Sequence, residues 1–460
     1  MHFCTLCLIL WTTVASVSCI FFGADKTINE LCFCKLQGKV DDCNCTIDAV
    51  DYFNNKKAYP RISSLVLKDY FRFYKVNLKA KCPFWTDDSR CAMRYCNVKP
   101  CRQSDLPPVY KGFANGGDVS YTLSKNLASD DCEQDTNAEL SFLNTTLSAS
   151  IMEDFAAWKA YDDAQDYYCQ LPDVDDEAEY VDLTLNPERF TGYKGKSAHR
   201  IWNSIYMENC FRPKNSYGAY IRSSKLNVAG MCLEKRVFYR VVSGLHASIN
   251  LHLCANYLLS ERESYGIISD TGRWGKNFKE FERRFSPAMT DGEGPQWLRN
   301  LYFVYSLELR ALEKAAPYLE QEKYYTGREK EDNETVAAVN DFLRVVKTFP
   351  EHFNESAMFQ GGDSAKKLKA DFKSHFRNIS RIMDCVGCDK CKLWGKLQIQ
   401  GLGTALKILF ADHVDFESEA QKGQFSTFRL RRSEIVALFN SIARLSSSIY
   451  ELDQFGLTMR

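Results

Sequence analysis

The chain has 460 residues, 45% of them hydrophobic and 13% aromatic, which is enough apolar surface to build a large core. Lys plus Arg and Asp plus Glu each number 59, so the net charge is zero and no overall basic field is available to hold a nucleic acid. Nineteen cysteines are typical of an oxidising compartment and argue against a reducing cytosol.

The N-terminal residues 1–19, MHFCTLCLILWTTVASVSC, have an apolar run from Phe3 to Ala15 followed by small side chains. This pattern predicts a secretory signal peptide that is removed from a mature chain of residues 20–460. The alternative is a retained membrane anchor. The signal peptide is favoured because the apolar run is shorter than the roughly 20 residues that span a bilayer.

Asn-x-Ser/Thr sequons support entry into the secretory pathway, where they can be glycosylated. Four sequons are predicted glycosylation sites, and a fifth, at Asn44, lies between two cysteines. The four predicted sites are Asn144, Asn333, Asn354 and Asn378. Because such triplets also occur by chance, they corroborate the secretory assignment and do not decide it.

Residues 31–45, LCFCKLQGKVDDCNC, place two Cys-x-Cys pairs around a glycine-containing turn. Within residues 20–50 this pattern predicts a hairpin stapled by two disulfides. We expect its cysteines to form structural disulfides and not to take part in a reaction.

Residues 82–101, CPFWTDDSRCAMRYCNVKPC, contain a Cys-x4-Cys pair, Cys91 and Cys96. A pair at this spacing can close a small exchangeable disulfide ring, and a purely structural bridge is about as favoured by the spacing. Arg90 and Arg94 would stabilise a nearby thiolate, which tilts the balance towards reactivity. The polar stretch that follows, residues 102–138, has the composition of a loop.

From about Ile201 the hydrophobic pattern becomes helical. Segments beginning at Val237, at Trp297 and at Ser433 carry apolar residues three and four apart, and Ser433 is a candidate N-cap for the last of them. No alternation of strands and helices appears. The fold class predicted is therefore mainly α, a bundle-like helical core with a disulfide-clipped, irregular N-terminal third.

Residues 401–406, GLGTAL, resemble the start of a dinucleotide-binding fingerprint, but Leu406 stands where the third glycine is needed. No strand-helix-strand unit surrounds the segment, so we interpret it as the entry to a helix. Neither a phosphate-binding loop of the Gly-x4-Gly-Lys-Ser/Thr type nor a Gly-x-Ser-x-Gly nucleophile elbow occurs in the sequence. These nucleotide and hydrolase classes are excluded.

Residues 384–398, DCVGCDKCKLWGKLQ, hold Cys385, Cys388 and Cys391 at two overlapping Cys-x-x-Cys spacings. The spacing permits a redox pair, a structural disulfide, or half of a zinc site completed by Cys91 and Cys96, and these alternatives stay open at this point. If both groups are redox-active, thiol-disulfide exchange could carry two electrons from the Cys91 and Cys96 pair to the second group.

The segments CPFWTDDSRCAMRYCNVKPC and RNISRIMDCVGCDKCKLWGKLQIQGLGTALKILF resemble the endoplasmic reticulum oxidoreductin family, flavin-dependent oxidases of protein disulfide isomerase. The resemblance continues through LNPERFTGYKG, RIWNSIYMENCF, EKRVFYRVVSGLHASINLHL and DGEGPQWLRNLYF, in order along the mature chain. It implies one mainly helical domain over residues 20–460. Residues 185–460 would cradle FAD, and residues 82–140 would carry shuttle and regulatory cysteines.

The resemblance also implies roles for the cysteines. Cys91 and Cys96 match the shuttle pair that accepts electrons from the isomerase, and Cys388 and Cys391 match the inner pair beside the flavin. The structural disulfides implied are Cys82 with Cys385, Cys32 with Cys45, Cys34 with Cys43, and Cys210 with Cys232. The inhibitory regulatory disulfides implied are Cys91 with Cys132 and Cys96 with Cys101. Cys169 matches a free thiol of the family, and Cys254 is expected to be a buried small hydrophobe on a helix.

The flavin contacts of the family carry over onto six residues. They are Arg189, Thr191, Trp202, Ser243, His246 and Arg284. An arginine suits a diphosphate, a tryptophan can stack on an aromatic ring, and a serine and a histidine three apart share one helical face. The alternatives are that His246 is an ordinary helix residue and that Arg284 is a surface charge.

The implied activity is that of an FAD-dependent thiol oxidase acting on sulfur-group donors, with oxygen as acceptor and hydrogen peroxide as product. The implied location is the lumen of the endoplasmic reticulum, and we expect a monomer with protein disulfide isomerases as partners. The C-terminal FGLTMR is no retrieval signal, so retention would come from retained partners or from association with the luminal membrane face. Two rivals are a luminal binding protein without turnover and a zinc-binding scaffold.

Overall fold

The structure is a computed structural model that describes residues 33–84, 97–113, 168–169, 175–188, 195–212, 227–255, 257–258, 274–349, 353–411 and 428–458. Within these residues the architecture is mainly helical, as predicted. Several predicted site residues lie outside the described ranges. They are Cys32, Cys91, Cys96, Cys132, Asn144, Arg189 and Thr191.

The described helices, in chain order, are α1 (Ile47–Phe53), α2 (Tyr59–Leu65), α3 (Asp69–Arg72), α4 (Gly195–Asn209), α5 (Leu233–Ala255), α6 (Phe278–Phe285), α7 (Gly294–Leu319), α8 (Glu329–Val346), α9 (Asp363–Ile382), α10 (Asp389–Phe410) and α11 (Arg432–Thr458). A π-helical segment, Asn54–Ala58, joins α1 to α2. The strands are β1 (Phe73–Val76), β2 (Glu179–Asp182), β3 (Tyr257–Leu258) and β4 (Trp274–Gly275), paired antiparallel as β1 with β2 and β3 with β4.

Helix α10 is the centre of the core. It packs against α11, α7 and α9, while α5 packs against α7 and α11. Nearly every side chain from Lys390 to Phe410 is buried, including polar residues such as Gln398 and Thr404. A helix that is buried around its whole circumference belongs to the interior of a large core. The cysteines at its beginning are therefore held on a rigid element.

The two glycines of GLGTAL lie inside α10, so our interpretation of the segment as a helix entry is wrong. A Cβ atom on Gly401 would stand 2.3 Å from the carbonyl oxygen of Ala437 on α11, and one on Gly403 would stand 2.9 Å from the Sγ of Cys169. These distances are too short for a side chain. The glycines serve close packing of neighbouring chain segments, and not a turn or a phosphate.

The predicted N-cap of the last helix is also wrong, because α11 begins at Arg432 and places Ser433 inside its first turn. Glu434 performs the capping function there, since its Oε2 accepts a hydrogen bond from the amide of Arg431 at 2.7 Å. The other oxygen of Glu434 lies 2.8 Å from Nζ of Lys407 on α10. A carboxylate in the first turn is stabilised by the helix dipole.

Residues 38–47 form a tight antiparallel reversal within the region of the predicted hairpin. Lys39 and Thr46 form an antiparallel bridge, and the amide of Val40 donates to the carbonyl oxygen of Cys45 at 2.9 Å. The chain reverses near Asp42, whose φ of 56° is left-handed, while Gly38 lies at the base of the hairpin. The side chains of Cys34, Cys43 and Cys45 are all buried here. The specific disulfides implied for the hairpin stay predictions.

The small sheet positions the segment that follows the shuttle cysteines. Phe73 of β1 pairs with Asp182 of β2, and Val76 pairs with Glu179. Residues 97–101 add to the other edge of β2, through a bridge between Pro100 and Val181 and a hydrogen bond from the amide of Cys101 to the oxygen of Tyr180, 2.8 Å long.

None of the helices in the described ranges combines the length and the apolar character needed to cross a bilayer.

Candidate functional site

The inner cysteines lie at the N-terminus of α10. Cys388 is the N-cap, and its Sγ accepts a hydrogen bond from the amide of Cys391 at 3.4 Å. Both side chains are buried, at 1% and 0% exposure. A helix N-terminus stabilises negative charge and so favours the thiolate form of a cysteine placed there. The geometry suits thiol-disulfide chemistry at Cys388.

The oxidation states of the two inner cysteines differ in the structure. Cys388 takes part in a disulfide, whereas Cys391 is a thiol. The disulfide between Cys388 and Cys391 that the resemblance implies therefore stays a prediction.

Cys385 is bonded to Cys82, as the resemblance implied. The two Cα atoms are 4.4 Å apart, within the normal range for a disulfide, and the bond joins residues separated by 303 positions in the chain. Because Cys385 is engaged in this way, it cannot form a redox pair with Cys388. Of the two overlapping Cys-x-x-Cys motifs, only the one that starts at Cys388 stays a candidate redox pair.

A second contact ties the chain near Cys82 to α10. Nζ of Lys392 donates to the carbonyl oxygens of Leu78 and Ala80, at 2.9 and 3.2 Å. Lys392 directly follows Cys391 on the helix. The segment that follows β1 is therefore attached to α10 through Lys392 and to the 3-10 turn before α10 through Cys82.

A buried polar face on α5 brings together most of the described residues that the resemblance assigns to flavin binding. Ser243 and His246 lie three residues apart on this face, and Asn250 continues it one turn further. The ring of Trp202, on α4, stacks on the imidazole of His246 with a centroid separation of 3.8 Å. The hydroxyl of Tyr206 lies 3.3 Å from Nδ1 of the same imidazole.

Arg284, on α6, is fully buried, so the alternative of a surface charge is wrong. Its Nη1 donates to Oδ1 of Asn250 at 2.6 Å, and its Nε donates to Oε1 of Glu280 at 2.7 Å. Buried arginines are costly unless their donors are paired. Asn250 and Glu280 thus hold a cationic group at the same α5 face that carries His246.

His246 is neutral at physiological pH. Burial lowers the pKa of its imidazole well below the usual value, and the positive charge of Arg284 lowers it further. A neutral imidazole has one nitrogen that donates and one that accepts, so it can hydrogen-bond a ligand without adding a second charge to the site.

Ser243 is connected to the N-terminal hairpin by a chain of hydrogen bonds. Its Oγ accepts from Nδ2 of Asn300 on α7 at 3.0 Å, and Oδ1 of Asn300 accepts from Nη1 of Arg240 at 2.9 Å. Nε of Arg240 donates in turn to Asp42 at 2.7 Å. The hairpin therefore fixes the orientation of polar groups at the α5 face.

These residues fit a flavin dinucleotide. A buried guanidinium can neutralise a diphosphate, a hydroxyl and a neutral imidazole can bond polar ring edges, and an indole can stack on an aromatic ring. Helix α4, which carries Trp202, packs against the 3-10 turn Met383–Cys385 and so connects this face to the segment of the cysteines.

Our sequence analysis missed three residues that position this face, namely Asn250, Glu280 and Asn300. Asn250 could have been found, because it lies seven residues after Ser243 and four after His246 on one helical face. Glu280 is four residues before Arg284, a helical ion-pair spacing. Nothing in the sequence indicates Asn300, whose role depends on how closely α7 approaches α5.

The remaining predicted cysteines have different environments. Cys101 is a partly buried thiol on the edge of β2, and burial, aided by Asp182, raises its pKa to about 12. Cys210 is buried and Cys232 exposed, and each is a thiol in the structure, so their implied disulfide stays a prediction. Cys169 is a buried thiol, and Cys254 is fully buried on α5, as expected.

The predicted glycosylation sites differ in exposure. Asn333 and Asn354 are exposed, whereas Asn378 is only 2% exposed on α9. Oδ1 of Asn354 accepts a hydrogen bond from the hydroxyl of Ser356, the third residue of its own sequon, at 2.7 Å. Occupancy of each site stays a prediction.

A helical core with a polar ligand-binding face and a Cys-x-x-Cys at a helix N-terminus is characteristic of a thiol oxidoreductase. The model of the family Endoplasmic Reticulum Oxidoreductin 1 (ERO1) matches residues 57–452, and the chain belongs to this family. It is 50% identical to the Ero1-like protein of Drosophila melanogaster, with 98% of this chain and 96% of that protein covered. It is 46% identical to the human ERO1-like protein alpha, over 94% and 92% of the two chains.

Solved structures agree with this assignment. The structure described as "Structure of Ero1p, Source of Disulfide Bonds for Oxidative Protein Folding in the Cell" aligns with a TM-score of 0.56 at 30% identity, covering 89% of this chain and 97% of that one. A double cysteine-to-alanine mutant of S. cerevisiae Ero1p aligns with the same TM-score at 29% identity and the same coverage.

Proposed function

We propose that this protein is an FAD-dependent thiol oxidase that reoxidises protein disulfide isomerase in the lumen of the endoplasmic reticulum. Membership of the ERO1 family supports the compartment and the oxidoreductase class. The observation that carries the mechanism is the disulfide between Cys82 and Cys385. It excludes Cys385 as the partner of Cys388, which supports Cys388 and Cys391 as the redox pair at the start of the central helix.

Electrons enter through the shuttle pair. A thiolate of the reduced isomerase attacks the Cys91–Cys96 disulfide and forms a mixed disulfide, which the second isomerase thiolate resolves. The isomerase leaves as a disulfide, and the shuttle pair becomes a dithiol. The shuttle dithiol then reduces the Cys388–Cys391 disulfide in the same way, so that two electrons and two protons move at each exchange.

The chain's own groups prepare the second half of the reaction. The N-terminus of α10 stabilises a thiolate on the inner pair, and burial of both cysteines keeps water from this thiolate. Trp202, Ser243, His246 and Arg284 would bind the flavin, together with Arg189 and Thr191. When bound, FAD supplies an acceptor for the two electrons and a route from the inner pair to molecular oxygen, which yields hydrogen peroxide.

We further propose that disulfides of Cys91 with Cys132 and of Cys96 with Cys101 inhibit the enzyme, because they remove the shuttle disulfide that the isomerase attacks. The raised pKa of Cys101 supports a role in a stable disulfide more than one as a nucleophile. We expect replacement of Cys132 by Ser to raise basal oxygen consumption with reduced isomerase. Basal activity equal to that of the unmodified protein would contradict this regulation.

The test of the proposed function is spectroscopic. Purified protein should be yellow, and reduced isomerase should bleach its flavin absorption in the absence of oxygen. Cys388→Ser and Cys391→Ser should stop oxygen consumption but retain the flavin, whereas Cys91→Ser should stop transfer from the isomerase. Colourless protein loaded with zinc would contradict the proposal, and coloured protein that is never bleached would favour a binding protein without turnover.

A further inference from the structure

Asn186 lies at the meeting point of three segments that the proposed reaction uses. It is fully buried, and it follows β2 by four residues. On one side of Asn186 lie residues 97–100, which follow the shuttle cysteines and are called the stem here. The helix α10 passes on the other, and Arg189 comes three residues later in the chain.

The carboxamide of Asn186 pairs with the stem as a neighbouring peptide group would. Its Oδ1 accepts from the amide of Lys99 at 2.8 Å, and its Nδ2 donates to the carbonyl oxygen of Lys99 at 3.0 Å. The same Nδ2 donates to the carbonyl oxygen of Asp182, at the end of β2, at 2.9 Å. These bonds involve the backbone of Lys99, whose side chain is exposed.

The main chain of Asn186 is held by the helix of the inner pair. Nε1 of Trp394 donates to the carbonyl oxygen of Asn186 at 2.9 Å, and Trp394 lies three residues after Cys391, one turn along the same face of α10. Two residues on, buried Glu188 accepts from Nε2 of Gln398 at 3.2 Å and is ion-paired with Arg444. The segment is therefore attached to α10 at two successive turns.

Between the stem and the beginning of α10 there is a cavity as well as packed side chains, among them buried Val98. This cavity of about 130 Å³ is lined by Val98 and Pro100 on the stem side and by Asp389, next to Cys388, on the helix side. The connection across this gap runs through Asn186 to Trp394. On the other side of the shuttle cysteines in sequence, Cys82 is bonded to Cys385, in the 3-10 turn that precedes α10.

We propose that Asn186 is a positioning residue for electron transfer from the shuttle pair to the inner pair. Cys96 precedes Lys99 by three residues, so the position of the stem limits where its thiol can reach. The transfer forms a disulfide between Cys91 and Cys96 and breaks the one between Cys388 and Cys391, and both electrons and both protons stay within the protein. The inference rests on the proposed function and adds a residue to it.

The variant Asn186→Asp tests this directly, because a carboxylate keeps the shape and the acceptor but faces two carbonyl oxygens without a proton to donate. The matched control is Asn440→Asp. Asn440 is a buried residue of α11 whose Nδ2 also donates to two carbonyl oxygens, those of Phe71 and Val436, at 3.0 and 2.9 Å. Both substitutions remove comparable hydrogen bonds, but of the two residues only Asn186 bonds to the stem.

Oxidised holoprotein would be mixed with reduced isomerase without oxygen, quenched in acid after milliseconds to seconds, alkylated and mapped by mass spectrometry. In Asn186→Asp we expect the Cys91 and Cys96 dithiol to accumulate while Cys388 and Cys391 stay oxidised, with transfer slowed about ten- to hundred-fold. Flavin content and spectrum should match those of the unmodified protein, and Asn440→Asp should transfer at the normal rate.

Equal transfer rates in Asn186→Asp and the unmodified protein would overturn the inference, as would equal slowing in both Asp variants. If Asn186→Asp does not fold, Trp394→Phe removes the indole donor and keeps an aromatic ring, and a normal transfer rate in this variant would overturn the inference as well. Failure of the unmodified protein to accept electrons from the isomerase would instead refute the proposed function itself.

Discussion

The indole of Trp202 and the imidazole of His246 are stacked with an interplanar angle of 15° and a centroid separation of 3.8 Å. The two residues come from α4 and α5, and the contact joins the helix that packs on the Cys385 turn to the helix that carries the polar face. Replacing Trp202 by Ala should therefore reduce bound flavin, because both a stacking surface and the orientation of His246 are lost. The flavin-to-protein absorbance ratio measures this, with Trp202→Phe as the variant expected to retain more flavin. Equal flavin content in all three proteins would contradict a role for Trp202.

Arg284 should be irreplaceable by lysine. A lysine ammonium keeps the charge but cannot donate to both Asn250 and Glu280 in the geometry of a guanidinium. We expect Arg284→Lys to weaken flavin binding at least about tenfold, measured as the flavin released on dilution. Arg283→Lys is the matched control, since Arg283 also pairs with Glu280 but keeps part of its side chain exposed. Similar losses of flavin in both variants would show that flavin binding depends on the ion pairs of Glu280 and not on the buried guanidinium of Arg284.

Gly244 allows α5 and α7 to approach each other. A Cβ atom at this position would stand 2.2 Å from the carbonyl oxygen of Asn300, the residue that bonds Ser243. Gly244→Ala should separate the helices and lower the free energy of unfolding by about 1–3 kcal/mol, with loss of flavin. Gly456→Ala, within α11, should lower neither quantity, because its added carbon would meet Sγ of Cys34 at 3.8 Å, an ordinary contact distance. Denaturant unfolding followed by circular dichroism compares the two variants.

His252 makes the stability of the protein depend on pH. Burial, together with Arg444, lowers the pKa of this imidazole well below its usual value, so the unfolded chain binds a proton that the folded chain does not. The free energy of unfolding should therefore fall as the pH drops below about 6.5, by up to about 1.4 kcal/mol per pH unit for this residue. His252→Gln should show a shallower pH dependence between about pH 6.5 and 5, and only a constant offset above about pH 7.5. An unchanged slope would contradict this account of His252.

The Cys82–Cys385 disulfide should stabilise the protein strongly because it closes a long loop. Replacing both cysteines by Ser should lower the free energy of unfolding by about 3–5 kcal/mol, measured by denaturant titration without reductant. Because the double variant leaves no unpaired thiol next to Cys388, its inner pair can be assayed for oxygen consumption in the same preparation. Unfolding at the same denaturant concentration as the unmodified protein would show that the bond adds no stability.

The helical class and the location of the long helices could be predicted from sequence, because apolar residues three and four apart depend on local periodicity. The ends of the helices and the role of the glycines in GLGTAL could not be predicted in this way. GLGTAL has the glycine spacing of a turn or a fingerprint, and its place inside α10 follows from the approach of Ala437 and Cys169, which are distant in the chain. Ser433 has the side chain of an N-cap, yet Glu434 takes that function because Lys407 lies beside it.

The sequence by itself determined the family and the two cysteine groups, and it predicted the residues proposed to bind flavin, since long motifs preserve residue type and order. Spacing could not choose between Cys385 and Cys391 as the redox partner of Cys388. The tertiary structure decided it by placing Cys82, 303 positions away, against Cys385. It likewise buried Arg284 beside Asn250 and placed Asn186 between Lys99 and Trp394. Contacts between residues far apart in sequence depend on how whole helices pack, and the local sequence pattern does not specify that packing.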